Sequence, residues 1–294
     1  MHVLDEIIHT TVRIECEAQD GRVTRGTAFI CGFAERDEKQ HLALITNKHV
    51  VRNARIAHFH MTIADDTGSP RYGTHIKIPF PDLESHCLLH PNDDIDLAAF
   101  PIGPIVKIMS EKGTPPFYRA IPRKYWADDS FFNELKALED VIMIGYPNGM
   151  WDAANNTPIA RRGMTATPAY LNFEGRPEFL IDCACFPGSS GSPVFLVNLG
   201  GFAPKEGPYE LGASRLKLIG ILWGGPVYTV NGEIKVVPIP TAVEARALSP
   251  VPINLGYCIK ATELIVFDDL ITQRLHGSTS ASEQRSDRAG PILP

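Results

Sequence analysis

Short runs of β-branched and aromatic residues recur along the chain, each closed off by Gly, Pro, Asn or Asp. TTVRIECEA at 10–18, GTAFICGF at 26–33, HLALITN at 41–47 and ARIAHFHMTIA at 54–64 set the pattern. THIKIPF at 74–80, DLAAFPI at 96–102 and DVIMIGYP at 140–147 continue it. FLIDCACF at 179–186, SPVFLVNL at 192–199, LKLIGILWGG at 216–225, IKVVPIP at 234–240 and LGYCIKATEL at 255–264 complete it. Runs of this composition and length read as strands. With few helical patterns between them, they predict an all-β fold, a sandwich or closed antiparallel barrels. The 24 glycines and 24 prolines among 294 residues supply the turns that so many short strands need. Two short helices are expected. One lies in SFFNELKALED at 130–140, capped by Asp128, Asp129 or Ser130, and the other in TAVEARALS at 241–249. From His276 onward the chain is rich in Ser, Gly and charge with little to bury, which predicts a disordered tail.

Composition excludes several function classes. The 28 basic and 34 acidic residues give a net charge of −6, so no chain-wide basic footprint for nucleic acid exists. No run approaches the roughly 18 uninterrupted apolar residues of a membrane span. The N-terminal MHVLDEIIHT has acids where a secretory signal carries a basic region and a long apolar run. A cytoplasmic protein is therefore expected. The six cysteines (Cys16, Cys31, Cys87, Cys183, Cys185 and Cys258) show no paired zinc spacing and read as free thiols in a reducing compartment. His86 and His90 could share a helical face with Cys87 between them, but no third ligand pattern accompanies them. Neither a metal nor a cofactor is expected.

The stretch richest in chemistry is FPGSSGSPVFL at 186–196. An apolar strand enters it, a Gly/Ser-rich turn follows, and a second apolar strand leaves. It reads either as a simple hairpin turn or as a nucleophile loop. A serine hydroxyl needs an adjacent base to become a nucleophile, and the tetrahedral intermediate it forms needs N–H donors for its oxyanion. Ser190, between Gly188 and Gly191, fits that need. Among the ten histidines, His49 in LITNKHVV at 44–51 stands at a strand end followed by a turn, where a base could project. An orienting carboxylate should lie just before an apolar strand, and NDDIDLAAFPI at 92–102 offers Asp96, with Asp94 as the alternative.

The order His49, Asp96, Ser190 is the chain order of the chymotrypsin triad. With GTAFI at 26–30, ITNKHVV at 45–51, DIDLAAF at 94–100, DVIMIGYPNG at 140–149, DCACFPGSSGSPVF at 182–195, IGILWGG at 219–225 and LGYCIKATEL at 255–264, the chain resembles the trypsin-like serine proteases. Within them it is most similar to the bacterial HtrA-type protease domain, without the peptide-binding module of that branch. The resemblance implies two antiparallel six-stranded β-barrels. The N-terminal one spans residues 1–125 with His49 and Asp96, the C-terminal one residues 126–272 with Ser190, and a tail covers 273–294.

The same resemblance implies a serine endopeptidase acting on a protein or peptide substrate, and the lack of a secretory signal suggests limited cleavage of a particular intracellular protein. Ser190 is the implied nucleophile, His49 the general base and acid, and Asp96 its orienter. The N–H groups of Gly188 and Ser190 form the implied oxyanion hole. Ala184 would floor the primary specificity pocket, and Leu222, Trp223 and Gly224 would form its wall. Without an acid at Ala184, an uncharged P1 residue is expected rather than Lys or Arg. Ser189 stands where digestive members carry an acid that pairs with a newly cleaved N-terminus, so activation by that clipping is not expected. The aromatic segment 107–138 (Phe117, Tyr118, Tyr125, Trp126, Phe131, Phe132) serves either as packing between barrels or as a surface for a regulatory protein partner. The rival readings are a catalytically silent scaffold of the same fold and an esterase-like hydrolase using the same triad.

Overall fold

A computed structural model of the chain describes residues 2–36, 39–233, 246–252 and 254–274. The expected strand at 234–240, residues 241–245 of the expected helix and the expected tail beyond residue 274 lie outside these residues.

The first half is one antiparallel sheet. Its strands are β1 (Thr11–Ala18), β2 (Val23–Arg36), β3 (Lys39–Thr46), β4 (Ala54–Ala64), β5 (Pro70–Pro81), β6 (Leu88–Leu89), β7 (Ala98–Pro101) and β8 (Pro116–Phe117). They pair in the order β5-β4-β1-β2-β3-β7-β6, with β8 added to β4. Six longer strands form the body expected from the sequence, and the two-residue β6 and β8 bring the total to eight.

The second half closes into a six-stranded barrel. Its elements are β9 (Asp140–Gly145), β10 (Ile159–Thr165), β11 (Glu178–Asp182), β12 (Pro193–Asn198), β13 (Gly201–Phe202), β14 (Glu210–Leu211), β15 (Arg215–Gly224), β16 (Val227–Glu233), β17 (Arg246–Pro252) and β18 (Leu255–Lys260). The barrel order is β10-β11-β18-β15-β12-β9, while β13–β14 and β16–β17 form separate two-stranded ribbons. Short helices α1 (Val3–Ile8), α2 (Lys48–Val51), α3 (Leu83–His86), α4 (Gly103–Glu111) and α5 (Asp129–Asn133) punctuate the sheets. The chain is helical again over 266–274.

Strand periodicity explains how the halves dock. Successive side chains of a strand point to opposite faces. On β2, Ala28 and Ile30 enter the core of the first sheet, while Phe29, Cys31 and Phe33 enter a shared core between the halves. On the barrel side, Ile144 of β9, Phe195 of β12, Leu218 and Ile221 of β15 and Ile259 of β18 meet that shared core. Their neighbours Met143, Val194, Leu196, Ile219, Leu222 and Cys258 fill the barrel interior. These strands are buried on both faces, which is why they read as continuous apolar runs rather than alternating ones.

The aromatic segment packs rather than protrudes. Trp126 joins the shared core, Phe132 the barrel core, and Phe117 is buried beside His9 at 5.0 Å between ring centroids. The helix expected over 130–140 is confined to Asp129–Asn133, with the Asp128 carboxylate accepting from the Phe131 N–H at 2.8 Å. It stops there because Glu139 turns back, accepting from the Lys136 N–H at 3.1 Å and from Arg215 at 2.9 Å. Residues 246–249, expected in a helix, lie in β17.

A charged cluster sits where the loop after β9 laps onto the first sheet. The largely buried Glu15 accepts from Arg13 at 2.7 Å, Lys77 at 2.8 Å and Arg25 at 3.4 Å. Trp151 lies 4.8 Å from the Arg13 guanidinium and 4.8 Å, ring to ring, from both His60 and His75. Burial, with help from the charge on Arg13, lowers the His60 pKa to about 4 against the opposing pull of Glu15. Burial also lowers His75. A histidine depressed in the folded state binds its proton more readily in the unfolded chain. The stability it confers is present above the ordinary histidine pKa and is lost as pH falls toward 4. Urea midpoints should therefore decline steadily between about pH 6.5 and pH 4. His60→Gln should make that decline shallower, and an unchanged slope would remove His60 from the account.

Candidate functional site

The candidate base is aimed by burial of its neighbours. After β3 ends at Thr46, the single turn of α2 carries Lys48, His49, Val50 and Val51. Val50 and Val51 insert into the core of the first sheet, which leaves the His49 side chain facing out at 48% exposure. Gly26 on β2 makes room for this anchor: a Cβ there would lie 2.6 Å from a Val50 methyl.

Asp96 is set by the same logic between Ile95 and Leu97, both buried. Its Oδ2 lies 2.5 Å from His49 Nδ1, its Oδ1 accepts from the His49 backbone N–H at 3.0 Å, and its carbonyl accepts from Asn47 Nδ2 at 2.7 Å. Burial would raise the Asp96 carboxyl, but the hydrogen bond and charge of His49 and the N–H groups of His49 and Lys48 outweigh it and hold it below its ordinary value. It is Asp96, not Asp94, that meets His49. The backbone N–H of Asp94 caps the turn on Asn92 Oδ1 at 2.9 Å, and Asp93 approaches Lys48 at 3.9 Å.

Two consecutive turns shape the serine loop. Phe186 to Ser189 is closed by the Ser189 N–H donating to the Phe186 carbonyl at 3.0 Å, with Pro187 second and Gly188 third at φ +87°. Proline then a left-handed glycine is the signature of a type II turn. The next turn is closed by the Ser192 N–H on the Ser189 carbonyl at 3.0 Å, with Gly191 at φ +85°. A Cβ on Gly191 would lie 2.0 Å from the Thr27 carbonyl oxygen, so this position is closed to any side chain twice over. Among the described residues, the N–H groups of Gly188 and Ser190 meet no acceptor. The Ser190 hydroxyl donates to the Trp223 carbonyl at 3.4 Å, and no hydrogen bond joins it to His49 among the described residues.

The expected pocket residues are distributed as follows. Leu222 is buried in the barrel core, and its N–H and carbonyl are taken by Ser192 and Gly191 at 2.9 and 2.8 Å. Trp223 lies 5.7 Å from Tyr257 between ring centroids, and Gly224 has open space on its Cβ side. The Ala184 carbonyl accepts from Arg161 Nη1 at 3.0 Å, and the Arg161 guanidinium lies 4.8 Å over the Phe186 ring. Arg161 escaped sequence reasoning because β10, IARRGMT, carries no apolar run. Its alternation is between half-buried and exposed positions.

Cys16, Cys31, Cys87, Cys183, Cys185 and Cys258 are free thiols. His86 serves a local turn through the Asp82 carbonyl at 3.0 Å, and His90 lies 3.4 Å from Glu263. Among the described residues no group of three or more His, Cys, Asp or Glu side chains could hold a metal, and no helix is long and apolar enough to cross a membrane.

A family model, the trypsin-like peptidase domain, matches residues 26–200. The chain belongs to the trypsin-like peptidase family, which makes it a serine protease by class. Among solved structures it is similar to the active form of the Rv3671c protease from M. tuberculosis, at 16% identity and TM-score 0.44, covering 89% of this chain and 80% of that one. It is also similar to the HtrA-type protease AlgW with a tripeptide, at 16% identity and TM-score 0.45, covering 90% of this chain and 60% of that one. No curated protein sequence matches it.

The two glycine positions separate steric from conformational cost. Gly200→Ala, at φ +78° with nothing within 4 Å, should cost about 1 kcal/mol. Gly191→Ala adds a backbone collision and should cost more than about 2 kcal/mol by urea denaturation. Equal losses would mean that the loop yields freely around Thr27.

Proposed function

We propose that the protein is a serine endopeptidase that hydrolyses peptide bonds through an acyl-enzyme, with Ser190 as nucleophile, His49 as base and Asp96 as its orienter. The observation that carries this reading is the His49–Asp96 pair, joined at both ring and backbone. An Nδ1–H given to Asp96 leaves Nε2 as the free base, and the carboxylate, held ionised, stabilises the imidazolium that forms. Ser190 must turn from the Trp223 carbonyl toward Nε2, a bond that in unliganded sites often tightens only with substrate. As it attacks the carbonyl carbon, the free N–H groups of Gly188 and Ser190 receive the oxyanion. His49 then returns the proton to the leaving amine, and water, activated the same way, releases the acyl group.

The substrate edge is proposed at Trp223 and Gly224, where an extended peptide can add as a strand. Without an acid at Ala184, and with Arg161 already on its carbonyl, a Lys or Arg side chain at P1 is disfavoured. Free buried thiols fit a reducing compartment and hence limited cleavage of an intracellular protein.

A fluorophosphonate probe should label the wild type and not Ser190→Ala. Equal labelling of both, or none of the wild type, would discard the proposal in favour of a silent scaffold. Asp96→Asn should lower turnover by about 10⁴. Profiling with peptide libraries should show Lys and Arg depleted at P1. Strong enrichment of either would refute the assignment at Ala184.

A further inference from the structure

We infer that Thr27, on β2 of the first half, is a positioning residue that fixes the oxyanion-binding turn of the second half through its side-chain hydroxyl. The inference rests on the reading of Ser190 as nucleophile.

Thr27 has no exposed surface, and its hydroxyl has three partners. The Gly188 carbonyl lies at 3.2 Å, the Tyr146 N–H at 3.1 Å and Ser192 Oγ at 3.2 Å. A hydroxyl has one proton to give and two lone pairs to fill. A carbonyl can only accept and an N–H can only donate, which fixes the directions. Thr27 Oγ1–H donates to Gly188, the Tyr146 N–H donates to Thr27, and Ser192 Oγ–H fills the second lone pair. All three sites of the hydroxyl are used, two on the serine loop and one at the end of β9. The Thr27 backbone adds two more ties. Its N–H donates to the Ser190 carbonyl at 2.8 Å, and its carbonyl accepts from Thr46 Oγ1 at 2.8 Å, three residues before His49.

The bond to Gly188 matters most. Rotation of the Gly188–Ser189 peptide would move that carbonyl and distort the turn that carries the Gly188 and Ser190 N–H groups assigned to the oxyanion. Glycine offers little resistance to such rotation. The residue preceding the nucleophile does not supply the restraint: Ser189 is fully buried, and its hydroxyl has no partner among the described residues. A further backbone brace is the Asn148 N–H on the Pro187 carbonyl at 2.5 Å, from the loop that Trp151 anchors. Thr27 therefore supplies the side-chain restraint that Ser189 does not. Gly145 preserves access for it, since a Cβ there would lie 2.7 Å from Thr27 Oγ1 and 2.0 Å from Ser192 Oγ.

The test is the rate of labelling by a fluorophosphonate as its concentration is raised, in wild type, Thr27→Val and Thr27→Ser. Thr27→Val keeps the shape and removes the hydroxyl. Its saturating rate should fall about 10- to 100-fold, short of or equal to the loss of one oxyanion donor, while the half-saturating concentration stays nearly constant. Thr27→Ser should restore the rate to near wild type. A role in packing alone would lower both rate and affinity and would not be rescued by serine. Thr27→Val labelling as fast as wild type, or Thr27→Ser as slow as Thr27→Val, overturns the inference. If Thr27→Val does not fold, Thr27→Cys, a weak donor of similar size, takes its place against Thr27→Ser, and equal rates overturn it. A wild type that never labels fails the Ser190 reading itself. A wild type that labels while Ser190→Ala does not keeps that reading whatever Thr27 does.

Discussion

The whole arrangement depends on strands that are buried on both faces. β2, β3, β9, β12, β15 and β18 each send alternate side chains into their own layer and into a core shared with the other half. Burial of apolar area at roughly 25 cal/mol per Å² is non-directional, but the period-2 register of these strands makes it directional. A one-residue slip in β2 would exchange Phe29, Cys31 and Phe33 with Ala28 and Ile30 and leave neither core filled. Docking is thus set by register, and the ends of β2 and β3 arrive beside the serine loop as a consequence.

What could be read from the sequence follows from this constraint. The doubly buried strands advertised themselves as apolar runs, and the sheet and barrel follow from them. His49 and Asp96 stood out because each interrupts an apolar run whose neighbours sink into the core. β10 was invisible because it closes the barrel with one face half-buried and two arginines along it. The short extent of α5 was also hidden, since Lys136, Leu138 and Glu139 look helical until Glu139 is seen turning back to Arg215. Thr27 lies in GTAFI at 26–30, yet its three hydroxyl partners lie over a hundred residues away and no local pattern announces them.

The loop after β9 shows how a surface cluster can serve a distant turn. Trp151 is held among Arg13, His60 and His75, and Asn156 donates to Thr62 at 2.9 Å, so both ends of the excursion are fastened to β1, β4 and β5. Asn148, just before this anchor, holds the Pro187 carbonyl. A mixed cluster of this kind contributes less through net attraction, which desolvation offsets, than through the single geometry it permits.

The Thr27 hydroxyl has a temporal consequence. Every partner it satisfies belongs to the other half of the molecule, so none of those bonds exists until the halves have met. A nascent chain that has finished its second barrel but not yet seated it on the first sheet carries Ser190 without its brace. On that reading, competence arrives with closure of the two halves rather than with the folding of either one.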